Sequence, residues 1–226
     1  MTNILITGTN RGIGLEMAKQ ALAKGWTVYG SAREEATGPD AHICEHPRFH
    51  DLRFDVTGHA ALRQAAAGID APIDVLINNA GIIGPDRQSV LEMDFDGFAK
   101  TLGVNTLAPL AVSQAFLPHL RRSANPRILT VSSWMGSLSH AKSDRIAYRA
   151  SKAAVNKVMQ GLATDLAPMG IAVASLHPGW VRTDMGGAGA DIAPVESAAG
   201  ILKLAENLTL EGTGQFYNWD GSLLAW

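Results

Sequence analysis

Tyr148 and Lys152 stand four residues apart within the stretch Ala147 to Lys152. The run from 147 to about 166 is alanine-rich and carries apolar residues at Val155, Met159, Leu162 and Leu166, a spacing that predicts a helix. Positions i and i+4 share one helical face, so the phenol and the ammonium should emerge side by side. A nearby cation favours phenolate and lowers a tyrosine pKa from its usual value of about 10. A proton donor near neutrality is what carbonyl reduction needs. The pattern is short and both residues are common, so taken alone it is better explained by a surface helix. Its weight depends on the elements around it.

Those elements alternate. Ile4 to Ile6 reads as a buried strand, followed by a turn with Gly8, Gly12 and Gly14 and a helix-like run from Leu15 to Lys24, stopped by Gly25. A glycine turn between strand and helix presents free backbone N–H groups to a phosphate. The spacing here is G-x3-G-x-G and not the commoner G-x-G-x-x-G. Trp26 to Gly30 is a second strand, ending at Ser31, Ala32 and Arg33. Residues 34 to 48 read as an irregular connection. Phe49 to Phe54 is a third strand, ending in Asp55, Val56 and Thr57, with Asp55 or Thr57 as a candidate cap for a helix near 58 to 67.

Pro72 to Ile77 is a further strand, stopping at Asn78, Asn79, Ala80 and Gly81. Helices are expected over about 95 to 105 and 107 to 122, then a strand from Arg127 to Val131 ending in Ser132 and Ser133. After the Tyr148 helix come a strand from Ile171 to Leu176 ending at His177, Pro178 and Gly179, a segment 182 to 195 expected to be mobile, a helix from Pro194 to Ala205, and a last strand at Gln215 to Tyr217. No linker divides the chain. The expected fold is a single-domain α/β, doubly wound parallel sheet of Rossmann type over 1–226. Such sheets bind ligands beyond the C-terminal strand ends. That rule gathers Gly8 to Gly14, Arg33, Asp55, Asn78 to Gly81, Ser132, Ser133, Pro178 and Gly179 along one edge.

Composition narrows the functional classes. The chain has 226 residues, 46% of them hydrophobic, enough for a sizeable core. A net charge of −2 with no long basic run argues against nucleic acid. The single cysteine, Cys44, excludes an internal disulfide, and the seven scattered histidines lack metal-ligand spacing. No run of about 18 apolar residues is present. The expectation is a soluble cytoplasmic protein that uses no metal and binds no membrane.

The assembled motifs resemble the short-chain dehydrogenase/reductase family over nearly the whole length. They are Thr7 and Gly8 with Gly12, Ile13 and Gly14; Asp55; Asn78 to Gly81; Asn105; Ser133; Tyr148 with Lys152; and Pro178 to Thr183. The run from His177 to Met185 resembles the Sniffer/C-factor-like carbonyl reductase subgroup. The resemblance implies that the turn from Gly8 through Asn10, Arg11, Gly12 and Ile13 to Gly14 receives a cofactor pyrophosphate. It implies that Asp55, with Val56 beside it, contacts the adenine, and that Asn78, Ala80 and Gly81 shape the cleft. Tyr148 becomes the general acid, Lys152 the ribose ligand, Ser133 the hydrogen-bond donor to the substrate oxygen, and Asn105 the holder of a relay water. Pro178, Gly179, Val181 and Thr183 match positions around the nicotinamide.

The second strand ends without a carboxylate before Arg33, and Arg11 lies in the glycine turn. A ribose 2′-phosphate calls for cations, so NADP is the expected cofactor, with NAD the alternative. Glu34 and Glu35 could reach a 2′-hydroxyl if the strand ran further. Ile82, Ile83, Trp134, Met135, Trp180 and Met185 are candidates for an apolar pocket. The expectation is an NADP(H)-dependent reductase of small aldehydes or ketones. The alternatives are an NAD-dependent alcohol dehydrogenase and a cofactor-binding regulator with incidental turnover. Relatives commonly pair through the helix before Arg127 and the Tyr148 helix, and the latter carries small residues at Ala150 and Ala154, so a homodimer is expected over a homotetramer.

Overall fold

The computed structural model describes residues 1–33 and 38–226. Seven parallel strands form one sheet in the order β3-β2-β1-β4-β7-β8-β9. They are β1 (Asn3–Thr7), β2 (Thr27–Ala32), β3 (Phe49–Arg53), β4 (Val75–Asn78), β7 (Arg127–Val131), β8 (Ala172–His177) and β9 (Phe216–Asn218). A small antiparallel hairpin, β5 (Gln88–Ser89) with β6 (Glu92–Met93), stands apart from it. The helices are α1 (Gly12–Ala23), α2 (His59–Ala67), α3 (Phe95–Leu102), α4 (Ala108–Leu120), α5 (Ile146–Leu166) and α6 (Pro194–Asn207). This is the doubly wound Rossmann-like architecture expected.

Side-chain alternation explains the two layers. Ile4 and Ile6 of β1 face one side and Leu5 the other; Val75 and Ile77 of β4 oppose Leu76 in the same way. The first face is covered by α1 and α6 through Met17, Leu22, Ile201 and Leu202. The second is covered by α2, α4 and α5 through Leu62, Val112, Phe116, Val155 and Met159. Because strand order reverses between β1 and β4, their C-terminal ends open a crevice.

Four local readings change. Within the described part of 34 to 48, residues Gly38–Glu45 form a 3₁₀ helix and not an irregular loop. The two helices expected over 95 to 122 are continuous, joined by a π-helical turn at Gly103–Leu107. Pro109 explains the wide turn: it has no N–H for the Asn105 carbonyl four residues back, and its ring would crowd that oxygen. Neither Asp55 nor Thr57 caps α2; Gly58 is the N-cap, and Asp55 instead accepts bonds from the backbone N–H and hydroxyl of Thr57 at 2.8 and 2.7 Å. The segment 182 to 195 is pinned, with Val181 bridging Ile192 and Arg182 donating to the carbonyls of Ala190 and Asp191. Among the described residues, no helix is long and apolar enough to cross a membrane.

Candidate active site

The glycine turn leaves β1 beside the end of β2, where the N–H groups of Gly8 and Thr9 both donate to Ser31 O. Gly8 and Gly12 have positive φ (77° and 57°), which glycine adopts without strain. Gly14 is required for another reason. A Cβ there would lie 2.1 Å from Gly8 O, so only glycine lets α1 close on the turn. No side chain caps α1 at Arg11, so its first-turn N–H groups remain for a ligand. Ile13 is half-buried behind the turn and Asn10 is half-buried within it. The resulting cradle fits a dinucleotide phosphate by backbone donors and helix polarity.

The turn after β4 is tied to the glycine turn. Thr7 Oγ1 accepts the N–H groups of Asn79 and Ala80 at 2.9 and 3.0 Å, and Asn79 Nδ2 donates to Thr7 O and Gly8 O. Asn79 and Thr7 are therefore the residues that register the two ends, a role the sequence reading did not assign. Asn78 points elsewhere. Its amide donates to Ser113 and Thr130 in the core, so any contribution it makes to the cleft is through its backbone. Gly81 is placed where a Cβ would approach Asn105 Oδ1 at 3.3 Å and Lys152 Nζ at 3.7 Å.

The long loop after β8 returns over the cradle. Gly179 takes φ 85°, and a Cβ there would collide with Ile192. Pro178 O accepts from Ser197 at 2.6 Å, and Val181 is buried. Thr183 sits 3.4 Å from the position a Gly12 Cβ would take. Arg11 bonds Asp184 at 2.5 Å. At the end of β2, the exposed Arg33 lies 3.9 Å from the half-buried Asp55. The Thr57 bonds, and then the Arg33 charge, hold the Asp55 carboxyl below its ordinary range. Val56, next in sequence, packs against the core below. Glu34 and Glu35 lie outside the described residues.

The reacting centre is built from α5 and the end of β7. Tyr148 is buried, and Ser133 stands beside it as the group that favours its ionised form. Ser133 also accepts the N–H of Met135 at 3.1 Å, capping the 3₁₀ turn Trp134–Gly136. Ser132 is turned away, donating to Lys152 O at 3.3 Å. Lys152 Nζ lies 5.6 Å from the Tyr148 ring centroid and donates to Val131 O at 2.8 Å. Asn105, on the π turn, brackets Ile82 through both its N–H and its carbonyl, at 2.9 and 2.8 Å, and donates to Ser151 Oγ at 3.0 Å.

The electrostatics differ from the sequence expectation. Burial pushes the Tyr148 phenol up from its ordinary value, opposed by the Ser133 hydrogen bond and by Arg145. Burial likewise lowers Lys152 to about 8. On the Tyr148 phenol, therefore, the cost of burial outweighs the depression that the i, i+4 spacing suggested. Of the apolar candidates, Trp134, Trp180 and Met185 are substantially exposed and Ile82, Ile83 and Met135 half-buried, giving the crevice an apolar rim.

Fold and site together describe an α/β protein with a nucleotide-type cradle beside a Tyr–Lys–Ser centre. Residues 2–191 match the family model for short chain dehydrogenase, and the chain belongs to that family of oxidoreductases. It is 42% identical to C-signal of Myxococcus xanthus over 156 residues, 69% of this chain and 93% of that protein. Its fold superposes on carbonyl reductase Sniffer of D. melanogaster with a TM-score of 0.94, at 33% identity and complete coverage of both chains. It also superposes on an NADPH-bound carbonyl reductase from chicken fatty liver, with a TM-score of 0.91 and 33% identity, covering 100% of this chain and 99% of the other.

Proposed function

We propose that the protein is an NADP(H)-dependent reductase of aldehydes or ketones, with Tyr148 as the general acid. The observation that carries this reading is the buried Tyr148 ring with the buried Lys152 Nζ 5.6 Å from its centroid, and the glycine cradle in the same crevice. The likeness to an NADPH-bound carbonyl reductase supports the cofactor and the reaction class. The cradle would hold the pyrophosphate, and Arg11 and Arg33 would meet a 2′-phosphate. Lys152 would bind the ribose.

When bound, a dihydronicotinamide cofactor would supply the hydride that reduces the carbonyl carbon. Negative charge then grows on the carbonyl oxygen. Ser133 donates a hydrogen bond to that oxygen, and Tyr148 passes it the phenolic proton, so the product is an alcohol and the residue left behind is a phenolate. Lys152 stabilises that phenolate until a proton returns from solvent. Asn105 holds the Ile82 backbone at the edge of the centre and supports the relay water. The exposed Trp134 and Trp180 favour substrates with an apolar body.

The deciding experiment is a screen of carbonyl compounds with NADPH and NADH, following loss of nicotinamide absorbance. Turnover with NADPH on uncharged aldehydes or ketones is expected; reduction driven only by NADH overturns the cofactor assignment. We also infer a homodimer through α4 and α5, supported by the half-buried Ala150 and Ala154 and the open surface at Gly161. Light scattering at micromolar concentration should give twice the chain mass.

One observation favours a second reading, a cofactor-binding regulator: the identity to C-signal. Retention of Asn105, Ser133, Tyr148 and Lys152 argues for turnover, because a binding module needs no acid. A regulator would keep its biological effect in a Tyr148→Phe variant that binds NADPH but does not turn over.

A further inference from the structure

Helix α5 begins without a cap of its own. Arg145 stands at its N-cap in a left-handed conformation, φ 52°, and makes no capping side-chain bond. First-turn N–H groups of any helix lack intrahelical acceptors, and burying one unpaired is costly. The Tyr148 N–H is such a group. Its acceptor comes from 60 positions upstream, the Oε1 of Gln88 in β5, at 3.1 Å. The same amide uses Nε2 to donate to Ile83 O at 3.2 Å and Pro85 O at 2.7 Å. Gln88 is buried, and Gly84 wraps so closely on it that a Cβ there would lie 3.3 Å from Oε1.

Two amide side chains thus clamp the Ile82–Pro85 segment to α5 from two sides. Asn105 does so through Ile82 and Ser151, and Gln88 through Ile83, Pro85 and the Tyr148 backbone. We propose that Gln88 is a positioning residue for the reaction, fixing the first turn of α5, and with it the Tyr148 ring, against the loop that borders the substrate crevice. The chemistry of the side chain fits the task. An aliphatic residue would leave one donor and two acceptors unpaired, and a carboxylate would face two carbonyl oxygens. Only a neutral amide both accepts and donates here. Displacing a proton donor by about 1 Å can slow the chemical step about 10²-fold, while the glycine turn that would hold the pyrophosphate makes no contact with Gln88 and is left intact.

This inference rests on Tyr148 being the acid, so Tyr148→Phe is assayed alongside. The full chain is tested with NADPH and the best carbonyl substrate, measuring kcat and, by fluorescence titration, the NADPH Kd. Gln88→Met, similar in size, should lower kcat about tenfold or more while the Kd stays within about twofold. Gln88→Glu keeps the acceptor for Tyr148 N–H but sets a carboxylate against the Ile83 and Pro85 carbonyls, so it too should lower kcat, with the same unchanged Kd. If Gln88→Met does not fold, that split in Gln88→Glu decides alone. Wild-type kcat in the Gln88 variants, or kcat and NADPH affinity failing in parallel, overturns the positioning role. Should Tyr148→Phe itself retain turnover, the acid assignment falls and the Gln88 role with it. Loss in Tyr148→Phe with full activity in both Gln88 variants removes the Gln88 role alone.

Discussion

Arg11 and Asp184, 173 positions apart, form a 2.5 Å ion pair that joins the glycine turn to the loop after β8. Both side chains are mostly exposed, 64% and 77%, so the pair contributes little to stability. Its interest lies in competition. A guanidinium held by Asp184 is less available to a cofactor phosphate. Asp184→Asn should therefore tighten NADPH by up to about fivefold, the ceiling for an exposed pair, and leave NADH nearly unchanged. Paired titrations of the two cofactors measure this; equal changes for both would show that Arg11 does not read the 2′-phosphate.

Under the proposed function Arg33, 3.9 Å from Asp55, would share that task. Arg33→Asp places a carboxylate where the 2′-phosphate is expected. NADPH should weaken by about tenfold or more, and the NADPH-to-NADH preference should narrow or reverse. An unchanged Kd ratio would remove Arg33 from the cofactor site.

Tyr148→Phe keeps the ring and removes the proton. Turnover should fall by about 10² or more, with NADPH affinity retained. Activity near that of the wild type on a good substrate would show that another group is the acid.

Lys152 supplies a pH dependence of binding. Its ammonium, lowered to about 8 by burial, is charged below that value and neutral above it. NADPH affinity in the free protein should be steady below about pH 8 and fall as pH rises through it. Lys152→Met should bind weakly and show no inflection there. The Kd measured from pH 6.5 to 9.5 in both proteins tests the assignment.

His177, at the end of β8, is held neutral by burial, its pKa lowered to about 4 from 6.5, and its Nδ1 has no hydrogen-bond partner. The unfolded chain binds this proton more readily, so folding stability falls as pH drops from about 6.5 towards 4. The loss is at most about 3 kcal/mol. His177→Gln should flatten that part of a denaturation-versus-pH curve. An unaltered curve would mean that other groups set the acid limb.

The strand–helix alternation was readable in the chain because buried parallel strands are short uninterrupted apolar runs and their helices carry a different period. The glycine turn and the Tyr148–Lys152 spacing were readable because backbone freedom and helical geometry act over a few residues. Other features depended on contacts between distant segments. The tertiary fold placed Asn105 on a π turn, where helix continuity had to accommodate Pro109. It turned the Asn78 amide into the core and left Asn79 to hold the glycine turn. It also set the charge balance, since burial of Tyr148 and Lys152 outweighed what their spacing implied. The partners of Tyr148 N–H and Arg11 lie 60 and 173 residues away, and no local pattern encodes a hydrogen bond at that separation. Such pairings exist only after the sheet has ordered its strands and brought their ends together.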